Sequence, residues 1–186
     1  MKVEEGFSSV LEAARNGSEH AWISLYRRFA PSVRGYLRSR GAAEPDDLTG
    51  EVFLQVVLHI ERFRGDESDF RSWLFTITHH RFLDERRRLR RHRDEPAPDE
   101  LILARASVGD AETDALRQLQ AADIRSRIAA LTPSQQDVLL LRIFGGLAVN
   151  EVARILGRRP GAIKQLQRRA LEALRRDLTK ELKKGA

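Results

Sequence analysis

Apolar positions recur every three to four residues along almost the whole chain, and no stretch alternates apolar and polar as a half-buried strand would. The pattern predicts helices over 7–15, 19–39, 46–62, 69–90, 111–130, 133–144, 149–156 and 161–182, and with them an all-α fold. Pro31 can interrupt the second of these, because it removes a backbone donor. No internal repeat of fixed period is present.

Two segments carry clear end signals. In LTPSQQDVLLLRIF, Thr132 is a natural N-cap, Pro133 takes the first helical position, where its missing N–H costs nothing, and Gln135 can close a capping box. Gly145 and Gly146 then permit a left-handed C-terminal turn. In EPDDLTGEVFLQVVLHI, Pro45, Asp46 and Asp47 set acids against the positive end of a helix dipole. The segment after 131 therefore reads as a compact helical unit distinct from the first 93 residues.

Charge divides the chain in the same way. The formal net charge is +6, with 17 Lys/Arg against 14 Asp/Glu in residues 1–93, 4 against 8 in 94–130, and 12 against 5 in 131–186. Two blocks ending in basic residues flank an acidic middle, and DEPAPDE opens that middle with two helix-disfavouring prolines. The expected organisation is two small helical domains, 1–93 and 114–186, joined by a flexible acidic linker at 94–113. At 186 residues and 41% apolar, the chain can bury a core in each. Clustered basic charge points to a polyanionic partner.

Composition removes several function classes. There is no cysteine, which excludes disulfides and thiolate-ligated metal sites and fits a reducing compartment. No run approaches the roughly 18 apolar residues of a membrane span, and the first twenty residues lack an apolar block of signal-peptide length. The expectation is a cytosolic protein without membrane insertion. His79 and His80 beside Asp84 invite a metal reading, but adjacent helical residues point about 100° apart and cannot easily share one ion.

The last fifty residues hold a helix-turn-helix pattern. EVARILGRRPGAIKQLQRRALEALRR places Ala153 where two helices touch, Gly157 at a tight turn, and Ile163 and Leu166 on the inner face of the second helix. Taking Ile163 as the inward direction, Ala170, Leu174 and Leu178 share its face, while Lys164, Gln165, Arg168, Arg169, Arg175 and Arg176 point outward. Arg and Gln at such a helix start suit bidentate contacts with base edges in a major groove. A face grown only for solubility would mix signs, and here Glu172 is the one acid among them.

The stretch FRSWLFTITHHRFLDERRRLRRHR combines a second pair of chemistries. On a helical wheel Phe70, Leu74 and Ile77 centre an apolar arc that Phe75, Phe82 and Leu89 extend. Trp73 sits on the opposite rim, followed along one edge by Thr76, His80, Asp84, Arg87 and Arg91. An aromatic at the head of a polar and basic line suits single-stranded nucleic acid: a base stacks on the ring while arginines hold phosphates.

These segments in this order carry a resemblance. DDLTGEVFLQVVLHIERFRG, FRSWLFTITHHRFLDERRRLRR and LTPSQQDVLLLRIFGGLAVNEVARILGRRPGAIKQLQRRALEALRR resemble the signature segments of bacterial extracytoplasmic-function (ECF) sigma factors, the two-domain members of the sigma-70 family, over about residues 10 to 178. The resemblance implies a non-enzymatic promoter-recognition subunit with no cofactor. Its partners would be the core RNA polymerase, promoter DNA and an anti-sigma factor. Asp46, Asp47, Leu48, Glu51 and Gln55 would dock on the β′ clamp helices, and the 133–144 helix would contact the β flap. Arg64, Asp66, Phe70, Trp73, Thr76, His80, Arg87 and Arg91 would capture and melt the minus-ten element. Arg158, Arg159, Ala162, Lys164, Gln165, Arg168 and Arg169 would read the minus-thirty-five element. The chain departs from the family pattern at His80, where Asn is common, and at Ala148, where Ser or Thr is common; the second weakens a helix cap by about 1 kcal/mol.

Two other readings use parts of the same pattern. A stand-alone helix-turn-helix regulator with an N-terminal sensing domain accounts for 131–186 but gives the line from Trp73 to Arg91 no purpose. A hydrolase built on Asp46, Asp47 and Glu51 needs a metal, and those acids are better explained by the helix dipole and by docking.

Overall fold

The computed structural model describes residues 6–94 and 124–184, and every regular element among them is helical. In chain order the helices are α1 (Phe7–Arg15), α2 (Glu19–Arg40), α3 (Pro45–His59), α4 (Glu67–Asp94), α5 (Pro133–Gly145), α6 (Val149–Ile155) and α7 (Pro160–Lys184), with a 3-10 turn, Ile60–Arg62, after α3. The expected helix over 111–130 lies outside the described residues except for a helical stretch at 124–129. The expected linker at 94–113 also lies outside them, apart from its first residue.

Local chemistry explains most of the boundaries. α2 runs unbroken through Pro31, whose ring sits on the exposed side. Ser18 caps its start, and Gly41, at φ 74°, closes its end in the left-handed conformation. α3 stops earlier than the periodicity predicts because its last turn tightens into the 3-10 turn. The N-cap of α6 is Ala148, which has no side-chain oxygen. Glu151 Oε2 nevertheless accepts the Ala148 N–H at 2.5 Å, so half of a capping box survives. Gln135 Oε1 does the same for the Thr132 N–H at the head of α5.

The core begins with aromatics. Phe70, fully buried at the start of α4, lies 5.4 Å from Phe7 of α1, 5.0 Å from Phe29 of α2 and 5.6 Å from Phe63 between ring centroids. Further along α4, Leu74, Phe75 and Phe82 are also fully buried, whereas Leu89 is exposed because the helix has by then outrun its neighbours. Leu178 on α7, expected on the inner face, is exposed in the same way.

The apolar cluster does not stop at the first unit. It continues from α2 and α4 into Val138, Leu140, Leu141, Leu147, Val152 and Ile163, so that α5 lies across both N-terminal helices. Gly35 makes this approach possible: a Cβ there would stand 2.4 Å from Phe144 Cε1. At the other end of the seam Arg40, almost wholly buried, donates to Gln136 Oε1 at 2.5 Å and meets Asp137 Oδ1 at 2.9 Å. Beneath this pair, Tyr36 Oη and His79 Nδ1 are 2.8 Å apart. Burial pushes the Tyr36 phenol well above its ordinary pKa, so it stays protonated beside the imidazole.

His79 is therefore held neutral. Burial, then the Arg40 guanidinium and then His80, lower its pKa from 6.5 to about 4. The unfolded chain accepts a proton near pH 6.5 and the folded chain resists until near pH 4. This contribution to stability is therefore complete above 6.5 and is lost as pH falls toward 4. Asp137, raised by burial, shifts in the opposite direction and is present in wild type and variant alike. Between pH 7.5 and 5.0 the wild type should lose about 2 kcal/mol more unfolding free energy than His79→Gln, measured by urea denaturation; equal losses would refute the assignment.

Candidate nucleic-acid and partner interfaces

The start of α4 is fixed by two aspartates. Asp66 Oδ1 accepts the Asp69 N–H at 3.0 Å, and Asp69 Oδ2 accepts the Asp66 N–H at 3.1 Å, a reciprocal cap. One turn on, Trp73 stacks on Phe63 with centroids 5.1 Å apart and planes 25° from parallel, and meets Phe70 edge-on at 5.7 Å. The indole is thus supported from beneath and only partly buried. It lines an open cleft of about 820 Å³ together with Phe63, Arg64, Ile77, His80, Arg81 and Asp84 of the turn and α4, and Gln55, His59 and Arg62 of α3 and the 3-10 turn.

This cleft gathers several of the residues expected to meet the minus-ten element and leaves others out. Trp73, Arg64 and His80 line it; Thr76 lies on the same helical edge, with its hydroxyl committed to Ser72 O at 2.7 Å. Arg64 is held against the backbone, donating to Glu61 O at 2.5 Å and Phe63 O at 2.7 Å. Arg87 and Arg91 are exposed further along, Arg87 within 3.1 Å of Asp84. Phe70 is fully buried and Asp66 is occupied as a cap, so both position the site from behind it. His79 points into the core while His80 is exposed, so the two imidazoles face different environments. Among the described residues no group of three or more His, Asp or Glu side chains is placed to hold a metal ion.

Along α3, Asp47, Glu51, Leu54 and Leu58 fall three or four residues apart and all are exposed. Leu54 is 57% and Leu58 63% exposed, with Val57, Ile23 and Tyr26 exposed nearby on α3 and α2. Sequence reasoning missed these apolar residues because periodicity counts every leucine toward the core; two exposed leucines in register with two acids were the available signal. Asp46 is drawn sideways into ion pairs with Arg34 and, at 3.2 Å, Arg38. Leu48 is buried and Gln55 turns to the Trp73 cleft, so the docking set named from sequence divides among three environments. Glu85 was also missed. It is buried, and its raised pKa reflects that burial, partly offset by the backbone amides of Glu44 and Ala43. It thereby ties α4 to the head of α3.

In the C-terminal unit, Gly157 at φ 60° makes the turn between α6 and α7. Val152, Ala153 and Ile163 are buried where the two helices meet. Arg158, Arg159, Lys164, Gln165, Arg168 and Arg169 are exposed, and Ala162 is half-buried. Arg158 reaches Ser134 Oγ at 3.1 Å, and Arg168 is only loosely paired with Glu172 at 3.9 Å. Gln167 is half-buried beside exposed Leu171 in a shallow groove with Lys164, Arg168 and Arg175. The basic residues of this helix start stand together on one accessible face.

Comparison with known proteins places both halves. Residues 25–92 match Sigma-70 region 2 and residues 127–176 match Sigma-70, region 4. The chain is 34% identical over 169 residues to the ECF RNA polymerase sigma factor BldN of Streptomyces coelicolor, covering 90% of this chain and 64% of that protein. It is 30% identical over 177 residues to the ECF RNA polymerase sigma factor ShbA of Streptomyces griseus, covering 90% of this chain and 92% of that one. In fold it is similar to CnrH, solved in complex with the cytosolic domain of CnrY, with a TM-score of 0.65 at 22% identity over 91% of this chain and 95% of that one. RpoE of Bartonella quintana, solved with the anti-sigma factor NepR, gives 0.62 at 21% over 84% and 95%.

The reciprocal cap at the head of α4 has a direct test. Asp66→Ala should lower stability by about 1 kcal/mol in urea unfolding, and Asp66→Asn, which retains an accepting oxygen, should keep most of it. A loss of DNA binding with no change in stability would instead make Asp66 a contact residue.

Proposed function

This chain belongs to the ECF RNA polymerase sigma factors of the sigma-70 family, and we propose that its two helical units divide promoter recognition between them. The unit over 1–93 docks on core polymerase and opens the minus-ten element; the unit over 114–186 reads the minus-thirty-five element, with 94–113 as the linker. Bond formation stays with the polymerase, and this chain acts by binding alone, with no cofactor. An anti-sigma chain is a further partner on this reading, since a protein of the same fold was solved with one. A stand-alone regulator needs only the helix-turn-helix and leaves the match over 25–92 without a role. Among the described residues no helix is long and apolar enough to cross a membrane; on this reading the chain works on DNA in the cytoplasm.

The observation that carries this reading is Trp73 lying on Phe63 at the edge of a cleft lined by Arg62, Arg64, His80 and Arg81. Opening a duplex removes a base from its stack. A supported indole offers a replacement surface, and the arginines hold the separated strand. Arg87 and Arg91 continue the basic line upstream. In the C-terminal unit, Arg158 and Arg159 meet backbone phosphates at the helix start, while Lys164, Gln165, Arg168 and Arg169 face base edges across a major groove. On α3, Asp47 and Glu51 flank Leu54 and Leu58 in a mixed acidic and apolar stripe suited to a polymerase helix.

Base–aromatic stacking contributes about 1–3 kcal/mol, so Trp73→Ala should slow promoter opening on the order of ten-fold to a hundred-fold. Permanganate reactivity and run-off yield should recover on a pre-melted bubble template. Equal impairment of a folded variant on duplex and bubble would remove Trp73 from melting. Separately, Leu54→Arg with Leu58→Arg should leave helicity and unfolding midpoint nearly unchanged, because both side chains are exposed, yet weaken core-polymerase binding at least about ten-fold in a co-sedimentation titration. Unchanged binding would exclude this stripe as the docking surface.

A further inference from the structure

We propose that Arg15 of α1 is a positioning residue for duplex opening: it fixes the turn that carries Phe63, and so holds the Trp73 platform in place while Arg64 exchanges its backbone bonds for a phosphate of the separated strand. The inference rests on the functional reading above and gives a part in it to α1, which precedes the segment matching Sigma-70 region 2.

The turn beneath the indole is held by two arginines. Phe63 follows the 3-10 turn in extended backbone, with φ −67° and ψ 138°, and its N–H donates to Ile60 O at 3.2 Å. Arg15 Nε donates to the same Ile60 O at 3.3 Å, and Arg15 Nη2 donates to Phe63 O. One planar guanidinium thus spans both ends of the turn. Arg64 Nη1 reaches the Phe63 carbonyl at 2.7 Å and Glu61 O at 2.5 Å. The Phe63 carbonyl therefore accepts from two cations at once.

The two arginines are not equivalent. Arg64 is exposed and lines the Trp73 cleft, whereas Arg15 is half-buried and lies outside that lining. Among the described residues neither is paired with a carboxylate, so no anion offsets their repulsion at the shared carbonyl. A phosphate entering the cleft meets Arg64 first, and being charged it accepts from a guanidinium more strongly than a neutral carbonyl does. When Arg64 leaves, the two bonds from Arg15 still hold the turn.

The placement of α1 suits this role, because its two ends reach the two rings that support Trp73. Phe7 at its head lies 5.4 Å from Phe70, and Arg15 at its tail holds the backbone of Phe63. Val10, Leu11 and Ala14 are buried between them and seat the helix. The carbonyls that Arg15 meets stand at the negative end of α3 and its 3-10 turn, where a cation is favoured. Arg15 acts through Phe63 and touches no part of the cleft itself.

Arg15→Met keeps the aliphatic stem and removes the donors. With core polymerase on a duplex promoter it should slow opening about three-fold to ten-fold, read by permanganate reactivity, as the indole loses part of its stacking contribution. A pre-melted bubble should restore run-off yield. Added to Trp73→Ala, it should slow opening by less than about two-fold more, because both changes act on one surface. With Trp22→Phe leaving Trp73 as the one indole in the chain, acrylamide quenching of the free protein should rise about two-fold in Arg15→Met as the ring is released. Arg15→Lys, with one ammonium for two carbonyls, should fall between, and Arg64→Ala should weaken opening yet leave the quenching unchanged. Circular dichroism and urea unfolding check that each variant folds; if Arg15→Met does not, Arg15→Lys carries the same comparisons. Unchanged quenching in the Arg15 variants, equal impairment on duplex and bubble, or losses at Arg15 and Trp73 that multiply overturn the proposal. So does an equal rise in quenching with Arg64→Ala, or loss of the fold in both Arg15 variants. Failure of the wild type to bind core polymerase overturns the functional reading instead, and the quenching series then still judges whether Arg15 positions the indole.

Discussion

The contact on which the rest of the site depends is Phe70 among its aromatic neighbours. Phe7, Phe29, Phe63 and Trp73 all lie within 5.0 to 5.7 Å of it, and they come from α1, α2, the segment after α3, and α4 itself. Each such pair adds about 0.5–1.5 kcal/mol beyond burial. More important than the sum is the geometry. Four segments converge on one ring, so the direction in which α4 leaves the core is fixed at its first turn. Trp73, one turn further, inherits that direction and is placed on Phe63. The indole is thereby held from below by the buried rings of Phe63 and Phe70.

Phe70 also explains how one helix can carry two chemistries. The apolar arc of α4 is spent within its first sixteen residues, from Phe70 through Leu74 and Phe75 to Phe82, all fully buried. From Arg87 to Arg91 the helix is exposed. Glu85 marks the change: a buried carboxylate whose charge is supported by the backbone amides at the head of α3. Through it α4 and the helix with the exposed acidic and apolar stripe are held in one register.

Much of this was legible in the sequence, and the gaps have physical causes. The helix positions followed from a period of three to four residues, and the turn at Gly157 from a glycine between two amphipathic segments. The edge from Trp73 through Thr76 and His80 was visible on a wheel because exposure follows angle within a single helix. What a wheel cannot give is what lies across from it. Phe63, the support for Trp73, sits in a turn with no periodicity, and Gln55 of α3 turned out to line the cleft beside it. The exposed Leu54 and Leu58 were hidden by the assumption that apolar means buried. The seam was the largest omission. Gly35 reads as an unfavourable helix residue and Arg40 as one more surface cation, and only the approach of α5 makes one a socket and the other a buried charge.

The basic end of α4 is a local conflict that the fold resolves elsewhere. Arg86, Arg87, Arg88, Arg90 and Arg91 repel one another along two turns, and like charges three and four residues apart each cost a few tenths of a kcal/mol. Among the described residues, Asp84 pairs with Arg87 at 3.1 Å and Glu85 attracts Arg88. An isolated helix of that sequence would fray. It persists because its first half is anchored by buried aromatic and leucine side chains, each contributing about 1.5–3 kcal/mol, and a helix once nucleated propagates at little further cost. If the rim meets nucleic acid as proposed, phosphates entering along it relieve that repulsion, and the free energy of binding then includes the release of a strain that the aromatic anchor has held in place.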